Sequence, residues 1–212
     1  MEQIAGRLGL SNVMAHLAGQ RPVFHSEADF QFAFAQSVAA LDDTIEVRLE
    51  VPQRAERRTY VDLVCFADQR TLIEFKYVTR AWSAALGPST EQFHLRSHEA
   101  LDLARLHFIH DVTRLEEWTA DRTDTNGFAV LLTNDNRLWE HPKSVRVTRD
   151  QAYRFHQGEK LTGGLTWGTP EQPYPDNDRP LRGTYIADWQ DYSHPDNRVG
   201  GTFRWLAWAV TP

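Results

Sequence analysis

A single cysteine, Cys65, stands in the 212 residues. That excludes an internal disulfide framework and any Cys-rich zinc or iron–sulfur site. No apolar run approaches eighteen residues, so a membrane-spanning helix is not expected and no membrane partner is assigned. Met1–Leu10 mixes Glu2, Gln3 and Arg7 with glycines, unlike a secretory leader, and the cytoplasm is the expected location. Positive charge is not in excess. The net charge is −6, which disfavours a protein that coats nucleic acid with its whole surface but leaves room for a local basic groove. Internal repeats and low-complexity tracts are also missing. Gly163-Gly164 has no lysine after it, so no phosphate-cradling loop of the Walker type exists.

What is present is enough apolar material for one core: 24.4 kDa, 41% hydrophobic residues,. Residues 1–22 read as a loosely packed helical lead-in carrying Ile4, Leu8, Val13 and Leu17, and residues 23–212 as one domain. Ser26–Ala40 is expected to be a helix, capped by Ser26 with Asp29 three positions on, its apolar side formed by Phe30, Phe34, Ala35 and Val38,. Thr44–Val51, Tyr60–Phe66 and Thr71–Val78 read as strands. Glu91–Trp118 is expected to be a long helix striped by Leu101, Ala104, Phe108, Val112 and Leu115,. Phe128–Leu132 reads as a strand buried on both faces. A further helix is expected from Thr148 to about Gln157, and a Pro-rich loop over Gly168–Arg182. Thr184–Trp189 and Phe203–Val210 then form a terminal β-hairpin. The fold class is α/β: a single domain with a mixed central sheet flanked by helices.

Chemistry concentrates in Tyr60–Tyr77. If Ala67–Gln69 is a three-residue connection, positions across the hairpin sum to 136 and Asp62 faces Glu74, with Lys76 on the same side. Val61, Leu63, Cys65, Ile73 and Phe75 take the other face, which a helix would cover. A two- or four-residue connection would separate the carboxylates. Two facing carboxylates repel and need an ammonium or a hard divalent cation between them. Asp, Glu and Lys together suit phosphodiester hydrolysis: carboxylates for Mg²⁺, lysine for the attacking water or the developing charge. Acidic and basic residues also alternate on many solvent-facing hairpins, and an acid such as Glu27 in a first helical turn is favoured by the macrodipole alone.

Asp62 followed by Glu74-x-Lys76, with Glu27 on a preceding helix, resembles the PD-(D/E)XK nuclease superfamily, the restriction-endonuclease-like enzymes. Val61 stands where the family name has proline. Phe24–Gln31, Val47–Glu50, Arg105–Glu116 and Leu161–Leu165 look like phrases of an uncharacterised prokaryotic family within that group, and the similarity runs from about Val23 to the C-terminus. The resemblance implies an αβββαβ core and a catalytic set of Asp62, Glu74 and Lys76. It implies Mg²⁺ or Mn²⁺ held by Asp62 and Glu74 with Glu27 as accessory ligand, and a role in defence or DNA processing.

Nucleic acid, DNA before RNA, is the expected partner. Arg54, Arg57, Arg58 and Arg80 flank the proposed site and are candidate phosphate contacts. Thr44–Arg80 is nonetheless near neutral, with seven basic and six acidic residues. Targeting by a homodimer or a protein partner is therefore expected. The competing reading is a non-catalytic nucleic-acid-binding or protein-interaction module on the same scaffold. His94/His98 and His107/His110 lie too far apart on one continuous helix to share an ion. Ser193, His194 and Asp196 are sequence neighbours, and hydrolase triads are not built that way.

Overall fold

The computed structural model describes residues 3–54, 59–98, 100–143 and 146–212. A short hairpin, β1 (Gln3–Ile4) and β2 (Leu8–Gly9), leads into helices α1 (Leu10–Gln20) and α2 (Glu27–Leu41). Strands β3 (Glu46–Arg54), β4 (Thr59–Phe66) and β5 (Arg70–Val78) follow, then a hairpin of β6 (Trp82–Leu86) and β7 (Glu91–Leu95). Helix α3 (Leu101–Thr119) precedes β8 (Thr125–Thr133). The remaining chain holds β9 (Lys160–Leu165), β10 (Gly168–Thr169), β11 (Gln172–Pro173), β12 (Arg179–Ile186), β13 (Gln190–Ser193) and β14 (Phe203–Val210). Single 3₁₀ turns lie at Gln151–Tyr153 and Pro175–Asn177.

Six strands form the central sheet in the order β13-β14-β8-β5-β4-β3. Only β5 and β8 run parallel; the other neighbours are antiparallel, so the sheet is mixed. The parallel pair needs a crossover, and the β6–β7 hairpin with α3 supplies it. One face carries α1 and α2, whose Val13, Leu17, Phe30 and Phe34 pack with Leu63, Ile73 and Phe75. The other carries α3, whose Phe108, Val112 and Leu115 pack with Val64, Leu72 and Leu131. Every residue of β8 is buried, because both layers close on it,. Gly127 in β8 lets α3 come close: a Cβ there would stand 3.2 Å from Leu115 Cδ2,.

Several expectations need correction. The long helix begins at Leu101, not Glu91. Gly87 and Pro88 end β6 in a turn, and in β7 the buried Phe93 and Leu95 alternate with exposed Gln92 and His94, the period of a strand,. His94 therefore sits on a strand. The helix expected from Thr148 is a single 3₁₀ turn; Asp150, its N-cap, commits its carboxylate to Thr148 and Arg105. The Pro-rich segment forms two short strands and gives its last residues to β12, which pairs with β9. The terminal hairpin forms between β13 and β14, so its first arm is Gln190–Ser193 and not Thr184–Trp189. The leading segment packs tightly: Ile4, Ala5 and Val13 are fully buried. Val61 joins the α3-side cluster instead of lying with Leu63.

Candidate active site

The β4–β5 ladder pairs Phe66 with Arg70, Cys65 with Thr71, Val64 with Leu72 and Leu63 with Ile73, the register of a three-residue connection. It stops there, although β5 runs on to Val78 and stays bonded to β8 along its whole length. Past Ile73, β5 has main-chain N–H groups without strand partners on its β4 side, and buried N–H groups need acceptors. Two carboxylates supply them. Asp62 Oδ2 accepts from Phe75 N at 2.7 Å, and Glu27 Oε2 accepts from Tyr77 N at 2.8 Å. The parting of two strands is thus sealed by two acidic side chains. Glu27 arrives from the first turn of α2, the second helix of the chain; the cap at its start is the expected one, Asp29 N donating to Ser26 Oγ.

Glu74 and Lys76 stand on the same stretch of β5. Glu74 is 2% exposed. Its Oε2 pairs with Arg114 Nη2 of α3 at 2.9 Å, while its Oε1 is buried and accepts no hydrogen bond. Lys76 Nζ lies 2.9 Å from Asp111 Oδ2, also of α3, and 3.9 Å from Glu27 Oε1, and donates to the Phe75 carbonyl at 2.9 Å. Asp111 Oδ1 in turn accepts from Arg114 Nη2 at 2.6 Å. Glu27, Glu74 and Lys76, separated by up to 49 positions in the sequence, join Asp111 and Arg114 in one network of ion pairs, and Asp62, bonded to the Phe75 amide, is coupled to it by charge.

The charges do not balance. Four carboxylates face one ammonium and one guanidinium, a formal excess of two negative charges. The titration behaviour reflects it. Burial, then Asp111 and Asp62, push the Glu74 carboxyl up to about 9, against the pull of Arg114 and Lys76,. Burial raises the Asp62 and Glu27 carboxyls too, opposed by the Phe75 amide for the first and Lys76 for the second. At Lys76, burial works against the charge but Asp111 and Glu27 outweigh it and hold the pKa above its ordinary value.

The donor set fits an oxygen-preferring divalent cation: hard carboxylate oxygens, one of them buried and without a partner, and a surplus of two negative charges once all four acids are ionised,. Among the described residues, no three His, Cys, Asp or Glu side chains converge closely enough to hold a metal ion as they stand.

Sequence reasoning missed Asp111 and Arg114. A signal was available. Asp111 is three residues after Phe108 and four before Leu115, so it lies on the apolar stripe itself, where a charged residue is rare unless paired. Of the candidate phosphate contacts, Arg57 and Arg58 lie outside the described residues, as does the Arg54 side chain. Arg80 is just past the end of β5, its Nη1 bonding Asn136 Oδ1 at 3.2 Å. Trp139, Trp167, Trp189, Trp205 and Trp208 are all buried in packing.

No helix among the described residues is long and apolar enough to cross a membrane. No family model, curated protein or solved structure matches the chain.

Proposed function

We propose that this protein is a Mg²⁺- or Mn²⁺-dependent nuclease hydrolysing phosphodiester bonds, with DNA as the preferred substrate. The observation that carries the reading is the convergence of Asp62, Glu74, Lys76 and Glu27 where β4 leaves β5, with an unpartnered buried oxygen on Glu74 and two negative charges in excess. The order of α2, β3, β4, β5, α3 and β8 along the chain supports it as well. That order follows the αβββαβ core implied by the resemblance to the PD-(D/E)XK superfamily, with the β6–β7 hairpin added.

Asp62 and Glu74 would hold the metal, Glu27 standing beside them. When bound, such an ion polarises a phosphate oxygen and lowers the pKa of a water molecule. Glu74 would offer its unpartnered Oε1 to the ion while Oε2 keeps its pairing with Arg114. Lys76 keeps its proton through Asp111 and Glu27, so it meets a phosphoryl group as a cation. An ammonium fixed in a partly buried site stabilises charge developing on the phosphate more than the same group in water would.

Incubation of the protein with single- and double-stranded DNA and with RNA, in Mg²⁺ or Mn²⁺, tests the proposal. Cleavage by the parent and none by Glu74→Ala is the expected result. A parent that leaves all three uncut contradicts it and favours the binding-module reading on the same scaffold.

A further inference from the structure

Beyond Lys76, β5 ends and Arg80 enters a cavity of about 530 Å³. The cavity is bordered by the first turns of α3 and by the chain that follows β8. Five cationic side chains line it: Arg80, Arg105, Arg137, Lys143 and Arg154, against one lining acid, Glu140. In a chain of net charge −6 such a concentration of positive charge is local by construction and focuses the field on one site.

Two buried acids outside the lining hold part of the set in place. Asp150 bonds Arg105 Nη1 at 2.7 Å, and Asp135 bonds Arg137 Nη2 at 2.5 Å. Even counting both, the excess is positive. Two lining side chains also keep buried nitrogens without a partner, Nε of Arg105 and Nδ1 of His156. The rest of the wall is Asn136, the apolar Leu101, Leu138 and Pro142, and the rings of His141 and His156, whose centroids are 4.0 Å apart.

We propose that this cavity binds one nucleotide of a nucleic-acid strand away from the cleaved bond, its phosphate on the arginines and Lys143 and its sugar and base against Leu138 and the two imidazoles. The volume suits a nucleotide-sized unit, and guanidinium forks match phosphate oxygens. The inference rests on the nuclease reading only for what lies next door. Arg80 follows Lys76 by four residues, about 13 Å along an extended chain. That is roughly four nucleotides along a duplex axis. A strand seated here would be held in register while another of its phosphates meets Lys76.

Arg80→Ala with Lys143→Ala tests it, since Lys143 is exposed and the Arg80 guanidinium bonds Asn136 and lies within charge range of Asp135. Binding of a fluorescently labelled oligonucleotide, single-stranded and duplex, is measured by anisotropy in EDTA over a range of salt. The unfolding midpoint of the double variant should equal the parent's. The Kd for the oligonucleotide should rise about tenfold or more. The salt slope should become shallower by about two, one for each phosphate that the two cations neutralise in the parent. Inorganic phosphate should compete with the oligonucleotide on the parent. Unchanged Kd and slope in the double variant overturn the proposal, as does a parent that binds adenosine monophosphate but neither oligonucleotide. Cleavage is scored separately. A parent that binds through the cavity yet never cuts retains this proposal and loses the nuclease reading, and a parent that cuts while the double variant binds normally does the reverse.

Discussion

Arg114 on α3 reaches across to Glu74 on β5 at 2.9 Å, pairing a partly exposed guanidinium with a carboxylate that is almost fully buried. The same guanidinium bonds Asp111 at 2.6 Å and lies over the Trp118 ring at 5.4 Å. It offsets the Glu74 charge from the helix side. Above about pH 9, where the Glu74 carboxyl is ionised in the fold, Arg114→Gln should destabilise the metal-free protein by about 2 kcal/mol, the scale of a hydrogen bond to a charged group,. Adding Glu74→Gln should restore most of that, because the uncompensated charge is then gone. Urea unfolding of both single variants and the double one measures the coupling. Strictly additive effects would mean that the pair carries no special interaction.

The Glu74 carboxyl gives the metal-free protein a pH dependence with a definite sign. It ionises near 4.5 in its ordinary state and at about 9 in the fold. Between those values the native state holds a proton that the unfolded chain has lost, so its contribution is full below 4.5 and is lost as pH rises through 9. In EDTA, Glu74→Gln should therefore gain stability over the parent steadily from pH 5 to pH 9. Parallel stability curves for the two proteins would show that Glu74 is not proton-bound in the fold.

Metal binding should separate structural from ligating roles among the acids. Mg²⁺ or Mn²⁺ should raise the parent's Tm, since an ion that binds only the folded state stabilises it by mass action. Asp62→Asn should remove that response. Glu27 also caps the Tyr77 amide. Glu27→Ala should cost about 1 kcal/mol. Glu27→Gln, which keeps an acceptor oxygen, should hold the parent's stability and weaken only the metal response. A full metal response in Asp62→Asn would remove that residue from the ligand set.

Much of this arrangement is legible in local pattern. The hairpin register follows from counting three residues between two β-rich runs, and it puts Asp62 and Glu74 at the first position past the last bonded pair. The α2 cap and the buried β8 follow from short motifs and from an unbroken apolar run. What escapes is tertiary. Nothing near Asp62 announces that its carboxylate replaces a strand in bonding Phe75. The face bearing Glu74 reads as open to solvent, because its charges resemble a polar hairpin surface. In fact α3 covers it, and the covering charges, Asp111 and Arg114, lie 37 and 40 residues after Glu74. The second arm of the β6–β7 hairpin reads as helix because polar residues between Glu91 and Glu99 fit a helix start as readily as a solvated strand.

Lys76→Ala, assayed for cleavage and metal binding side by side, separates a nuclease from a binding module. Lys76 Nζ is 2.9 Å from Asp111 Oδ2 and 3.9 Å from Glu27 Oε1, so its removal deletes a cation without deleting a ligand oxygen. The Mg²⁺-induced rise in Tm should persist, and cleavage of DNA should fall about a hundredfold or more, the scale of losing one transition-state charge partner. Cleavage by Lys76→Ala at the parent's rate would contradict a catalytic role for this site.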